Sequence, residues 1–201
     1  MNDPLIYLVS QSPRRRELLL QIGIAHEVLV ADIDETPHVG EAAERYVARM
    51  ALAKARAGRA SLSVIDKPLL AADTSVVVDG QILGKPRDEV DAREMLLSLA
   101  GRTHQVVSAV ALVNAVAEES RLSVSDVTFR DISDRESRAY WRSGEPADKA
   151  GGYGIQGLGA LFIERLEGSY SGVMGLPLFE TAVLMRDFEI QLPIFNAKAY
   201  E

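Results

Sequence analysis

The sequence predicts an α/β domain built around a mixed sheet flanked by helices, and three observations carry that expectation. Short apolar runs alternate with stretches of helical periodicity, in an order that begins strand, helix, strand, helix. Two of the runs, residues 76–78 and 82–83, flank Asp79-Gly80, a dipeptide suited to a tight hairpin, so part of the sheet should be antiparallel. The chain of 201 residues, 47% hydrophobic and 25% charged, is long enough for a substantial core and short enough to be one domain, residues 1–201.

Each element has a local reason. Residues 5–10 form a short buried strand; Ser12 then offers an N-cap and Pro13 a favoured first helical position, with the helix running to about residue 22 and stopping at Gly23. A second strand over residues 26–31 leads into an acidic turn of Asp32, Asp34, Glu35, Thr36 and Pro37, and then a helix over residues 41–60. On that helix Val47, Met50, Ala51 and Lys54 share one face, which aims a lysine toward the side that packs. Residues 69–74 are an apolar strand ending in Asp-Thr, followed by the hairpin and a helix over residues 88–99. Alternation predicts long strands at residues 105–116 and 121–129 and a helix at residues 134–141. A glycine-rich stretch, residues 144–159, follows, then a strand at 161–165, a turn at 168–175 and a closing helix at 176–188. Residues 196–201 read as a loose tail.

Composition closes off several chemistries. With no cysteine there is no disulfide framework, thiolate nucleophile or Cys-ligated zinc, and a reducing, cytoplasmic setting is expected. Lys and Arg number 22 against 29 Asp and Glu, a net charge of -7 that matches a nucleic-acid backbone poorly, so nucleic acid is not an expected partner. The local cluster Arg14, Arg15 and Arg16 still suits a small phosphorylated ligand. Asp3 precedes the first apolar run and the arginines follow it, the reverse of a secretory leader. No apolar stretch approaches the roughly 18 residues a membrane helix needs, and no membrane partner is expected.

Four segments point to chemistry. Ser10-Gln11-Ser12-Pro13-Arg14-Arg15 joins a strand end to a helix start, where free N–H groups, hydroxyls and guanidinium forks suit a phosphate. A capped helix with solvated arginines would read the same, so the motif gains weight only in company. Ala72-Asp73-Thr74 places a carboxylate at a strand end, where it can hold Mg²⁺ or take a proton from an attacking water; Glu35, Asp32 and Asp34 would extend an oxygen-rich site. Gly80-Gln81-Ile82-Leu83-Gly84-Lys85-Pro86 resembles a phosphate loop but has three residues between its glycines where four are needed, and Pro86 replaces the hydroxyl residue. What survives is a lysine, Lys85, on a short loop. Residues 143–157 include a literal Gly152-x-Gly154-x-x-Gly157, yet no strand precedes it. Its glycines suit close approach to a ligand, with Lys149 for charge and Gln156 for a base edge. His26, His38 and His104 lack metal or catalytic spacing, and Tyr140 and Trp141 read as packing residues.

Together, the Ser10–Arg15 segment, Ala72-Asp73-Thr74, Gly84-Lys85-Pro86, Gly101-Arg102-Thr103-His104, residues 143–157 and Gly175-Leu176-Pro177-Leu178 resemble the Maf family, also called septum formation inhibitor proteins. The resemblance runs from Leu5 to about Phe188. It implies a two-lobed fold on a strongly twisted mixed sheet with a cleft between the lobes, a nucleoside triphosphate pyrophosphatase activity, divalent-metal dependence (Mg²⁺ or Mn²⁺) and a homodimer. Arg14, Thr74 and Gln156 look like the branch acting on dTTP and UTP, or on modified pyrimidine nucleotides. The sibling branch, preferring 7-methyl-GTP, has Gln after the Asp and an acid at position 156. The same resemblance implies that Asp73 is the general base and a metal ligand with Glu35, and that Ser10, Arg14, Lys54, Lys85 and Lys149 contact the polyphosphate. Gly172 and Gln11 depart from the family pattern, which often has Asn and a small residue there. Two rival expectations stand beside this one: a non-catalytic nucleotide-binding regulator of cell division, and a nucleotidyltransferase using the Ser-Pro-Arg-Arg loop.

Overall fold

Four consecutive apolar residues, Ile6–Val9, are buried throughout and form β1, the strand around which the computed structural model of the chain, describing residues 3–193, is organised. The helix α1, Pro13–Gln21, follows with Pro13 in its first turn. Ser12 holds the cap position, but its hydroxyl does not cap; instead the Ser10 hydroxyl accepts the Ser12 N–H at 3.2 Å. β2 (His26–Leu29), α2 (Ala43–Ala60), β3 (Leu69–Val78), β4 (Gln81–Leu83), α3 (Glu89–Leu99), β5 (Thr103–Val113), β6 (Glu118–Phe129), α4 (Asp134–Arg142), β7 (Ile163–Glu167), α5 (Tyr170–Met174) and α6 (Leu178–Asp187) complete the order.

The sheet is mixed, as expected. Its strands run β2-β1-β3-β5-β6-β7, with β1 parallel to β2 and β3 and the rest antiparallel; β4 adds to β3 as the expected hairpin. The βαβ connection through α1 and the one through α2 supply the parallel half. Asn114 closes the β5–β6 hairpin by accepting the N–H groups of Val116 and Ala117 on its side-chain oxygen, so β5 stops short of residue 116 and β6 starts earlier than expected.

Three expectations are corrected here. Asp73 does not end a strand. β3 is one continuous ten-residue strand, because β5 pairs with it from Leu69 to Val77 and carries the pleat through Asp73, Thr74 and Ser75. The expected turn over residues 168–175 is instead a capped helical turn, α5: the Ser169 hydroxyl accepts the Gly172 N–H at 3.0 Å, and Gly175 leaves it at φ 116°. The strand β7 is also displaced by two residues, since Leu158–Phe162 coils as a 3-10 turn before it. The expected tail, residues 196–201, lies outside the described residues.

Packing explains where a cleft opens. On one face α2 lays Val47, Met50 and Ala51 over Val77, Val107, Ala109 and Ala111. Gly58 lets α2 approach closely: a Cβ there would lie 2.6 Å from a Val9 methyl. The opposite face carries two separate apolar clusters. One gathers Leu8, Leu19, Leu70, Ala72 and Leu184; the other gathers Val76, Leu96, Val106, Phe129 and Tyr153. Between them runs a row of hydroxyls in register across three strands, Thr74, Ser108 and Ser123, with Thr74 and Ser108 hydrogen-bonded at 2.8 Å. Polar groups break the core there: Ser108 and Ser123 are buried, with Ser108 donating to the Gly172 carbonyl, and the cavity reaches the row at Thr74.

His104, unassigned from sequence, is a buried member of the second cluster. Its ring meets Phe129 edge-on at 4.8 Å, Nε2 pairs with the Tyr153 hydroxyl at 2.8 Å, and Nδ1 has no partner. Burial pulls the imidazole down to about 4. The folded state therefore holds this histidine neutral while the unfolded chain protonates it near 6.5, so the stability it confers is complete above pH 6.5 and lost as pH falls toward 4. Unfolding free energy is expected to drop by about 3 kcal/mol across that window on this account. Urea melts at pH 7 and pH 4.5 check it, with His104→Phe flattening the difference.

Candidate active site

On the edge of β3 away from β5, β1 pairs only at Leu69 and Leu70, and β4 only from Val76 onward. The stretch between them has no strand partner on that side, because β1 ends at Val9 and the chain turns through Ser10 into α1. Asp73 stands in the middle of this gap, its side chain on the α2 face. There α2 delivers Lys54, whose ammonium donates to Asp73 Oδ1 at 2.7 Å and pairs with Glu35 Oε1 at 2.7 Å. Glu35 is brought in by the acidic turn, which the Tyr46 hydroxyl fastens by donating to the Glu35 carbonyl at 2.8 Å.

One ammonium thus serves two carboxylates in different surroundings. Burial pushes the Asp73 carboxyl up, and Lys54, with Arg15 adding, recovers only part, leaving it above the ordinary aspartate range. For Glu35 a smaller desolvation is outweighed by the hydrogen bond and charge of Lys54, with Lys85 and Arg15 adding, so its carboxyl lies below the ordinary range.

Around this centre the first turn of α1 supplies arginines. Arg14 reaches the cleft mouth and meets Asp148 at 3.2 Å. Arg15 turns inward, donating from Nε to the Gly175 carbonyl at 2.8 Å and from Nη1 to the Ser10 hydroxyl at 3.3 Å; burial draws its guanidinium down, with Asp73 opposing. Thr74 faces the other side of the sheet from Asp73, toward the hydroxyl row. Lys85 follows β4 on a loop whose Gly84 carbonyl accepts the Gly151 N–H at 2.9 Å.

The glycine-rich segment is ordered by a carboxylate. Glu145 accepts from the Tyr140 hydroxyl at 2.6 Å and from the N–H groups of Leu158 and Gly159 at 2.8 and 3.0 Å, and the same Tyr140 hydroxyl accepts the Gly154 N–H at 3.1 Å. This pins the loop in place and holds Gln156 at the cavity edge, while Lys149 is held by the Glu145 carbonyl at 2.6 Å. The dense glycines answer to close packing: a Cβ at Gly157 would fall 2.2 Å from a Glu145 oxygen.

A cavity of about 830 Å³ results, and all nine residues expected from sequence line it: Ser10, Arg14, Glu35, Lys54, Asp73, Thr74, Lys85, Lys149 and Gln156. Sequence reasoning left out Arg15, Tyr46 and Asp148, which also line it. Arg15 was within the quoted motif, but nothing local shows which of two adjacent arginines turns inward. Asp32 is on the wall as well; Asp34 is not among the lining residues. The lining carries five cations (Arg14, Arg15, Lys54, Lys85, Lys149) against four acids (Asp32, Glu35, Asp73, Asp148), so a chain of net charge -7 presents a locally cationic cavity.

Among the described residues no group of three or more His, Cys, Asp or Glu is placed to hold a metal. Asp73 and Glu35, however, converge on one point now taken by the Lys54 ammonium. Two carboxylates with remaining positions open to substrate oxygens are what Mg²⁺ accepts, so the donor set fits a cation arriving with a polyphosphate.

A family model described as Maf-like protein matches residues 5–188. The chain belongs to the Maf family. Similar curated members include the dTTP/UTP pyrophosphatase of Saccharophagus degradans, 55% identical over 94% of this chain and 91% of that protein. The dTTP/UTP pyrophosphatase of Methylococcus capsulatus is 56% identical over 92% and 91%. Among solved structures, the Staphylococcus aureus Ham1 protein superposes with a TM-score of 0.51 over 92% of this chain and 97% of that one at 17% identity, a likeness of fold. Within this Maf chain Gly172 is not on the cavity wall. Its carbonyl accepts from Ser108 at 2.7 Å, and a Cβ would press on Ser169 at 3.1 Å and on the Ser123 hydroxyl at 3.3 Å, so a side chain there would meet the α5 cap and β6 and not a ligand. Gln11 does line the cavity.

Proposed function

We propose that this chain hydrolyses dTTP and UTP, or modified pyrimidine nucleotides of the same shape, to the monophosphate and pyrophosphate. The observation that carries this reading is the pair Asp73 and Glu35 bridged by Lys54 in a cationic cavity at the unpaired stretch of β3. Relatives more than half identical to this chain are named dTTP/UTP pyrophosphatases, which agrees with it.

In this mechanism the triphosphate tail is received by Arg14, Lys85 and Lys149, with Ser10 at the end of β1. A divalent cation, Mg²⁺ or Mn²⁺, held by Asp73 and Glu35, would neutralise phosphate charge and lower the pKa of a bound water. Lys54, released from the two carboxylates, turns to the phosphate oxygens. Asp73 orients the attacking water and accepts its proton, while oxygen bonds to the α-phosphorus and the α–β bridging bond breaks. Pyrophosphate leaves with its charge met by the same cations. Gln156 addresses the base edge and Thr74 the adjoining wall, which is the basis of the pyrimidine preference.

Pyrophosphate release from UTP, dTTP and 7-methyl-GTP, each with and without EDTA, tests this. Fast release from the two pyrimidine nucleotides, abolished by EDTA, is the expected result. Tight binding without turnover would instead support the nucleotide-binding regulator, and a new ester to an acceptor the nucleotidyltransferase. A homodimer, checked by light scattering, and a cytoplasmic setting rest on the family resemblance and the absence of cysteine. Net charge of -7 argues against a nucleic-acid partner, and no described helix is long and apolar enough to cross a membrane.

A further inference from the structure

Asp148 has no part in the chemistry above, yet it occupies two of the cations that chemistry needs. Its Oδ2 meets Arg14 Nη1 at 3.2 Å, across 134 residues of sequence and across the cleft mouth. Its Oδ1 meets Lys149 Nζ at 2.6 Å. The exposures are unequal: the Asp148 side chain is 62% exposed, those of Arg14 and Lys149 only 23% and 12%. The cations are therefore held in place, Lys149 by the Glu145 carbonyl as well, while the carboxylate stands at the solvent edge with room to swing out. A carboxylate bridging a guanidinium and an ammonium occupies donors that a terminal phosphate would use.

We propose that Asp148 is an internal stand-in for the polyphosphate tail, a charge latch that joins Arg14 to Lys149 across the cleft until a triphosphate displaces it. This rests on the function proposed above and deepens it by assigning a determinant of tail affinity. The latch favours ligands whose tail carries enough charge to outcompete one carboxylate. It also works in reverse: once the α–β bond is cut, Asp148 competes with pyrophosphate for the two cations and promotes its departure. The site thereby avoids being trapped by its own product.

The test is Asp148→Asn, which keeps the shape and most hydrogen bonds but removes the charge. Calorimetry with magnesium pyrophosphate, and steady-state kinetics with UTP, are run on the wild-type chain and the variant. Asp148→Asn is expected to bind pyrophosphate about tenfold more tightly, to lower KM for UTP in step, and to be inhibited by pyrophosphate at correspondingly lower concentration, without a rise in kcat. The gain should shrink with added salt and should be smaller in an Arg14→Gln background, where only the Lys149 half of the latch remains, a coupling that a merely structural Asp148 would not show. Unchanged or weakened pyrophosphate binding in Asp148→Asn, with its thermal midpoint unaltered, overturns the latch; Asp148→Ala repeats the measurement without any hydrogen bond at that position. A wild-type chain that neither turns over UTP nor binds pyrophosphate overturns the functional reading. Pyrophosphate binding gained only in the variant would then leave the latch standing.

Discussion

Asp73→Asn is expected to lower kcat for pyrophosphate release from UTP by about a thousandfold or more, with nucleotide binding largely retained. Asparagine is isosteric and keeps an oxygen toward Lys54, but it neither accepts the proton of water nor offers a full charge to a cation. Lys54 keeps its 2.7 Å pairing with Glu35, so the substitution leaves no stranded buried ammonium. The stability sign is opposite to the activity sign. Burial raises the Asp73 carboxyl, so the folded state prefers it protonated. Its contribution to stability is greatest below the unfolded value and declines as pH rises through the folded one. At neutral pH the ionised Asp73 therefore costs stability that asparagine does not. The thermal midpoint of Asp73→Asn should be equal to or above that of the wild type, as at many active sites where function is held against stability. Near-normal turnover would remove Asp73 from the mechanism, and a fallen midpoint would attribute the lost activity to misfolding.

Gly151→Ala is expected to destabilise the fold by about 2 to 4 kcal/mol and to reduce activity in parallel. Two independent effects add. Gly151 has φ 67°, a left-handed conformation that costs an L-alanine about 1 kcal/mol. A Cβ there would also lie 2.8 Å from the Cβ of Val76, a strand residue buried against Leu96 and Phe129 that has no room to retreat. The same residue donates to the Gly84 carbonyl, so displacing it moves the Lys85 loop and the segment bearing Lys149 and Gln156 together. Denaturant melts and KM for UTP report the two consequences. A variant with wild-type stability and unaltered KM would show that the segment is looser than its contacts imply.

Much of the fold follows from short-range patterns. Strands β1 and β2, the Asp79-Gly80 hairpin, the long pair β5 and β6 and helices α1 to α4 stand where apolar runs, caps and periodicity place them, within a few residues. The correction at β3 is instructive: Asp73 and Thr74 read as the end of a strand because polar residues separate the apolar run before them from residues 76–78, and β5 carries the pleat across that interruption. Residues 168–175 read as a turn and not as α5, whose five residues are too short for a periodicity. His104 offered no spacing to read, and its meaning is the aromatic cluster around it.

The sequence by itself determined the residue types and the order in which a phosphate-binding and hydrolytic site could be assembled. Ser10, Arg14, Lys54, Asp73, Lys85, Lys149 and Gln156 belong to local motifs in or just after strands, on helices and in a glycine-rich loop, and such motifs depend on neighbours a few positions away. Only the tertiary structure decided that Arg15 points inward to Gly175, that Lys54 bridges Asp73 and Glu35, that Glu145 pins the loop carrying Gln156, and that Asp148 reaches Arg14. Each of those contacts joins groups distant along the chain or selects one of several equivalent side chains. The selection is made by burial and by the satisfaction of buried polar groups, which exist only after the strands have paired and the helices have packed.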